Sequence, residues 1–144
     1  LNLKAIAKEE GLGIIKICAS LEEQLYELTE DEKDLFLDDY GIKESGLDKL
    51  IKASYDTLDL ITYFTAGEKE VRAWTVKKGS LAPRAAGVIH TDFEKGFIKA
   101  EVIKYDDFMS LGSELKCKEA GKLSIEGKEY IVNDGDIMHF RFNV

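Results

Sequence analysis

The sequence predicts an α+β fold in two parts, a helical, acidic segment over residues 1–60 and a strand-rich segment over residues 61–144. Three observations carry that prediction. Charge is divided unevenly: residues 1–60 hold 7 Lys and Arg against 15 Asp and Glu, whereas residues 61–144 hold 13 of each. Apolar residues recur at helical spacing in the first part and alternate with polar ones in the second. Helix-start signatures, a hydroxyl followed three residues later by a carboxylate, crowd the first part.

Residues 3–10 place Leu3, Ile6 and Ala7 on one face, a short helix ending at Gly11. The run Gly13-Ile14-Ile15-Lys16-Ile17-Cys18-Ala19 has the near-continuous apolar character of a parallel strand covered on both faces. Ser20-Leu21-Glu22-Glu23 then reads as a capping box, opening a helix through Leu21, Leu25 and Leu28. Thr29-Glu30-Asp31-Glu32 repeats the signature and opens a helix through Leu35, Phe36 and Leu37, closed by Gly41. Ser45-Gly46-Leu47-Asp48 opens another, with Leu47, Leu50, Ile51, Tyr55 and Leu58 at helical spacing. The carboxylates in these first turns complement the positive end of a helix dipole. As a calcium loop the Thr29–Asp39 stretch lacks the glycine and the spaced ligand ladder.

From Leu60 the texture changes. Leu60–Thr65 is β-branched and aromatic, and Glu70–Val76 alternates, so the two predict a β-hairpin turning at Ala66-Gly67-Glu68-Lys69. Lys77-Lys78-Gly79 is a turn. Pro83 suits the first turn of a helix through Ala85, Ala86, Val88 and Ile89. Phe97–Ile103 is a strand, followed by a polar, glycine-punctuated stretch with no element assigned. Tyr130-Ile131-Val132, the turn Asn133-Asp134-Gly135-Asp136 and a strand over Ile137–Val144 complete the chain. That order is the order of a β-grasp, ubiquitin-like fold.

At 144 residues and 16.2 kDa the chain fits one ordinary domain or a small domain with an extension. Its apolar runs are too short to span a membrane, and its start reads straight into an amphipathic pattern rather than a secretory signal. Cys18 and Cys117 stand far apart and outside any CxxC, which predicts two thiols in a reducing cytoplasm.

Several stretches resemble one family. Thr62–Thr75 (TYFTAGEKEVRAWT), Ala82–Phe97 (APRAAGVIHTDFEKGF) and the ending Asp134–Val144 (DGDIMHFRFNV) are similar to the TGS region and C-terminus of the YchF-type, Obg-related ATPases. Ile17-Cys18-Ala19-Ser20-Leu21-Glu22 resembles that family's fifth nucleotide-binding motif, with Cys18 where Ser is usual. The resemblance implies a helical C-terminal remnant of a P-loop NTPase domain, residues 1–60, followed by a TGS β-grasp domain, residues 61–144. It also implies a parent that binds ATP or GTP with Mg, hydrolyses ATP more readily than GTP, and associates with ribosomes. Cys18, Ala19 and Ser20 would then meet the nucleotide in the parent, largely through backbone groups.

Phosphoryl transfer needs a phosphate cradle such as GxxxxGK[ST]. Gly67-Glu68-Lys69, Gly121-Lys122 and Gly127-Lys128 all fail that pattern, with Thr62, Lys116 and Lys122 where its first glycine belongs. No hydrolysis is expected of this chain alone, and no metal is expected in it. The densest basic stretch is Arg72, Lys77, Lys78 and Arg84, with Trp74 and Tyr63 nearby; five cations and one acid, Glu70, fall between 69 and 84. Together with His90 and Lys95 it is a candidate ribosome or structured-RNA contact, against the plainer reading of a solvated face. No DNA or membrane partner is expected, and the parent's own NTPase core is a further contact. Trp74 and Arg72 share a strand face, so Trp74 is either exposed beside Arg72 or in the core under it. His90-Thr91-Asp92 reads as a helix end whose imidazole caps the final carbonyls, or as a binding loop, in preference to a catalytic base. Cys18 reads as buried at a strand end, and Asn133–Asp136 as a hairpin turn rather than a metal site. A protein-docking sheet edge, a stand-alone enzyme around His90 and a purely structural role are the competing functions.

Overall fold

The computed structural model describes residues 2–67 and 70–143. The chain divides at Leu58/Asp59 into two compact units.

The first unit holds four helices: α1 (Leu3–Glu9), α2 (Ala19–Tyr26), α3 (Glu30–Asp39) and α4 (Gly46–Thr57). Helix α1 stops before Gly11, whose φ of +68° lies in the left-handed region that favours glycine. Thr29 starts α3: its N–H and its hydroxyl both donate to Glu32 Oε2, at 2.9 and 2.8 Å. Ser45 starts α4, its Oγ accepting the Asp48 N–H at 3.0 Å. Glu44 pairs with Lys52 along α4.

Two expectations fail here. Residues 13–17 form no strand, and Ile14 and Ile17 are 48% and 46% exposed. A parallel strand needs hydrogen-bonded neighbours, and no other described residue of this unit is in a strand either. The Ser20–Glu23 capping box is also absent. Cys18 is the N-cap of α2, so Ser20 already lies inside the helix, and Cys18 is exposed rather than buried.

The second unit is a five-stranded mixed sheet in the order β2-β1-β5-β3-β4. Its strands are β1 (Leu60–Ala66), β2 (Val71–Lys77), β3 (Phe97–Lys104), β4 (Leu123–Glu126) and β5 (Asp136–Phe142). Strands β1 and β2 pair antiparallel from Leu60↔Lys77 to Ala66↔Val71, as the alternation predicts. The first and last strands lie parallel at the centre, Phe64 opposite Ile137, and β3 joins β5 antiparallel with a register shift between Phe97 and Lys99. This is the β-grasp arrangement the element order implied. Glu68 and Lys69 of the expected hairpin turn, and Val144 of the expected last strand, lie outside the described residues.

Helix α5 (Ala82–Ile89) starts with Pro83 in its first turn and buries Ala82, Ala85 and Ala86 against the sheet. Small side chains let the helix approach closely, and the core beneath it holds Ile61, Tyr63, Val76, Ala100, Val102, Met138 and Phe140. Tyr63 spends its hydroxyl on the Ala85 carbonyl at 2.7 Å, so a fully buried phenol is satisfied. Burial pushes its pKa well above the usual value.

The unassigned stretch contains α7 (Tyr105–Leu111), α8 (Glu114–Glu119) and β4, and a further short helix, α6 (Thr91–Lys95), follows α5. Phe108 of α7 and Glu114 of α8 line a small recess with Ile103, Leu123 and Ile137, on the sheet face away from α5. Tyr130–Val132 is not a strand; it makes only an isolated bridge, Leu81↔Ile131. The 133–136 turn forms, with Asp136 N–H donating to Asn133 O at 3.2 Å, but it leads into β5 rather than joining two paired strands.

Candidate functional site

The segment 17–22 and the start of α4 are fastened to each other. Glu22 accepts the Gly46 N–H at 2.7 Å and the Leu47 N–H at 3.4 Å, serving the N-terminus of a helix 24 residues away. A Cβ on Gly46 would stand 2.8 Å from Glu22 Oε1 and 3.1 Å from Ile17 Cγ2, so a larger residue there would push the Glu22 carboxylate off its two amides. Cys18 Sγ lies 3.4 Å from Ser20 Oγ. That hydrogen bond first, and the Leu21 N–H second, hold the thiol below its usual pKa. Helix α2 has no side-chain cap, so its first amides, at Ala19 and Ser20, start an exposed helix end. Beside it, α2, α3 and α4 bound an open cleft of about 650 Å³ with Ile17, Leu37 and Leu50 among its apolar lining and Glu30, Asp34 and Asp48 among its acids.

All six cationic or imidazole candidates of the second unit reach the surface, four of them on three elements and two in the connections between elements. Arg72 and Lys77 belong to β2, the edge strand, and Lys78 to the turn after it, its N–H donating to Asp59 O at 2.7 Å. Arg84 is on α5 and meets Glu94 of α6 at 3.5 Å. Lys95 is in the last turn of α6, where a cation suits the helix dipole. His90 sits between α5 and α6. Its Nδ1 accepts the Asp92 N–H at 3.2 Å and lies 3.5 Å from Asp92 Oδ2. The imidazole therefore caps the following helix, α6, not the carbonyls of α5. The expectation had the direction reversed, because α6 is too short to show in the periodicity.

Two further constellations were not foreseen. Asp136 is fully buried and accepts from Lys104 Nζ at 2.6 Å, Tyr130 Oη at 2.6 Å and the Asn133 N–H at 2.9 Å. Burial opposes the charge on Lys104, but the hydrogen bonds to Asp136 and Tyr130 outweigh it and raise the ammonium's pKa. Burial, then Asp136, raises the Tyr130 phenol. The second constellation holds α6 to the end of β5: the Phe93 and Phe142 rings stack 3.7 Å apart. Asn143 N–H donates to Gly96 O at 2.9 Å. Both depend on residues brought together across the sheet, which spacing along the chain does not reveal.

Trp74 resolves the parity question. It lies opposite Tyr63, half-buried against the core, with the Arg72 guanidinium carbon 4.3 Å from its ring centroid.

Residues 60–143 match the family model of the YchF-GTPase C-terminal domain, described as "Protein of unknown function (DUF933)". The chain is 58% identical over 143 residues to the ribosome-binding ATPase YchF of Pasteurella multocida, covering 99% of this chain and 39% of that protein. It is 56% identical, with the same coverage, to the Bacillus subtilis protein of the same name. A solved Schizosaccharomyces pombe YchF GTPase superposes with a TM-score of 0.84 at 42% identity, over 96% of this chain and 37% of that one. The fold is shared with a GTP-binding protein of Pyrococcus horikoshii, TM-score 0.62 at 22% identity over 97% of this chain and 41% of that one. The chain thus spans about two fifths of the length of the curated relatives it matches.

Proposed function

Because this chain belongs to the YchF family, its residues 60–143 matching the C-terminal domain of that family, we propose that it is the regulatory, docking portion of a nucleotide-binding protein. Residues 1–60 close the nucleotide-binding domain of the parent, and residues 61–144 are a TGS domain. The whole protein binds ATP or GTP, as relatives named ribosome-binding ATPase and YchF GTPase suggest, and on the same reading does so with Mg and in the cytoplasm. The exposed start of α2, at Cys18, Ala19 and Ser20, fits contact with a nucleotide base through backbone amides. Nothing in the sequence fits the phosphates or the Mg ion, so this chain by itself hydrolyses nothing. The parent's NTPase core packs on the first unit.

The second unit docks onto the ribosome or structured RNA. The observation that carries this reading is the surface placement of Arg72, Lys77, Lys78, Arg84, His90 and Lys95 on the unit matched by the family model. Arg84 is partly engaged by Glu94, which leaves Lys77 and Lys78 as the stronger electrostatic contacts. Phosphate contacts release counterions, so such binding weakens as salt rises. In co-sedimentation with purified ribosomes across a salt series, the chain pellets at low salt and is released as salt increases. Reversing charge with Lys77→Glu and Lys78→Glu weakens pelleting and flattens the salt slope. Unchanged affinity and slope in that variant defeat the assignment.

A second reading has one observation in its favour. Strand β2 is an open edge, with Val71 72% exposed, and an extended protein segment can add to such an edge. Pelleting that persists at high salt and responds to Val71→Lys rather than to the lysine reversals selects it.

A further inference from the structure

Arg72, Trp74 and Thr65 form one built surface at the edge of the sheet. Thr65 stands opposite Arg72 in the β1–β2 ladder, and its Oγ1 accepts the Trp74 indole N–H at 2.9 Å. That bond fixes the indole plane. The indole packs against the core and carries the Arg72 guanidinium, whose carbon lies 4.3 Å from the ring centroid. The indole backs one side of the guanidinium, and the side chain is still 57% exposed. Its ion pair with Glu70 is long, 4.0 Å, and does not hold it edge-on in a fork.

A carboxylate partner would take Arg72 through its N–H edge. An adenine, which offers no bidentate acceptor edge to a guanidinium, meets it through its face, adding a third layer over the indole. Such faces are available only from unpaired bases, because a duplex keeps its bases stacked on each other.

We propose that the Trp74-backed Arg72 guanidinium is a stacking platform for an unpaired RNA base. This rests on the RNA-docking reading and deepens it: it assigns single-stranded or looped RNA to β2, with Lys77 and Lys78 holding the backbone.

The chain has one tryptophan, so its emission reports this site alone. The full 144-residue chain is titrated with labelled oligoadenylate and with a blunt RNA duplex of equal length. Anisotropy gives affinity and Trp74 emission gives stacking. The platform predicts tighter binding of the single strand, with saturable quenching that the duplex does not produce. Arg72→Lys keeps the charge and removes the plane; it lowers single-strand affinity about tenfold and leaves duplex affinity within about twofold. Lys78→Gln weakens both probes alike and keeps the full quench. Arg72 is exposed, and an unchanged thermal transition verifies that the variants are folded. Binding of the oligoadenylate without quenching, or with Arg72→Lys indistinguishable from the parent chain, overturns the platform while docking through the lysines survives. Quenching by oligoadenylate in a chain that fails to pellet with ribosomes supports the platform and removes the ribosome as its target.

Discussion

The two units use the same local signals and differ in what they bury. Among the described residues, the second unit buries fourteen apolar side chains and the first three, Ala7, Leu25 and Leu37. Twelve large apolar residues of the first unit are exposed, against nine in the second, which is the longer unit. Helix capping is as good in the first as in the second, yet capping contributes only about 1 kcal/mol per helix end. Burial of apolar area carries most of folding. The lesson is that well-formed helix starts do not make a domain; a shared core does.

The sharpest way to break this contrast is to separate the units. Residues 59–144 alone are expected to unfold cooperatively in urea, whereas residues 1–58 alone show no cooperative transition and low helicity by circular dichroism. Two matched transitions would overturn the comparison.

Within the second unit, the Asp136 hub is the most sensitive point. Asp136→Ala leaves the Asn133 N–H, the Tyr130 hydroxyl and Lys104 without their acceptor. With Lys104 half-exposed and partly solvated, a loss of about 3 kcal/mol is expected in chemical denaturation. Gly96→Ala comes next. Its Cβ would lie 2.0 Å from Asn143 O, so the chain end must move, costing about 2 kcal/mol and the Phe93–Phe142 stack. In the first unit Thr29→Ala removes the α3 cap for about 1 kcal/mol, read as lost helical ellipticity.

The smallest effects separate the units by pH. The Thr29 N–H, then its hydroxyl, lower the pKa of Glu32 from 4.5. Its contribution is present above that value and is lost as pH falls through the lower folded value. Lys104 is raised from 10.5, so the hub's contribution is complete below that value and is lost as pH rises through the higher folded value. Helicity of the first unit should therefore fade at the acid end. The thermal midpoint of the second unit should fall at the alkaline end, and Lys104→Met should reduce that fall without abolishing it, because the raised phenols of Tyr63 and Tyr130 titrate there too.

The hairpin β1–β2, the proline-started α5 and the caps of α3 and α4 were legible because each is written in neighbouring residues. The parallel strand over 13–19 was misread because a continuous apolar run specifies burial without supplying the strands that would cover it. Helices α6 to α8 were missed because each is short, five to seven residues, and none carries the apolar face that made the equally short α1 readable. Of the candidate site, residue types were readable and partners were not. That Arg84 meets Glu94 follows from how α5 and α6 fold back on each other, while His90 caps α6 through a local bond to the Asp92 N–H, two residues on.

The sequence by itself determined the α+β class, the charge division near residue 60, the β1–β2 hairpin with strands β3 and β5, and which cations were available. Only the tertiary structure decided that Arg72 lies over Trp74, that Glu22 serves the start of α4, and that Asp136 is buried beneath Lys104 and Tyr130. The first set depends on periods of two and 3.6 residues, which are local. The second depends on strand register and chain crossings, where one residue of slip moves every side chain to the other face.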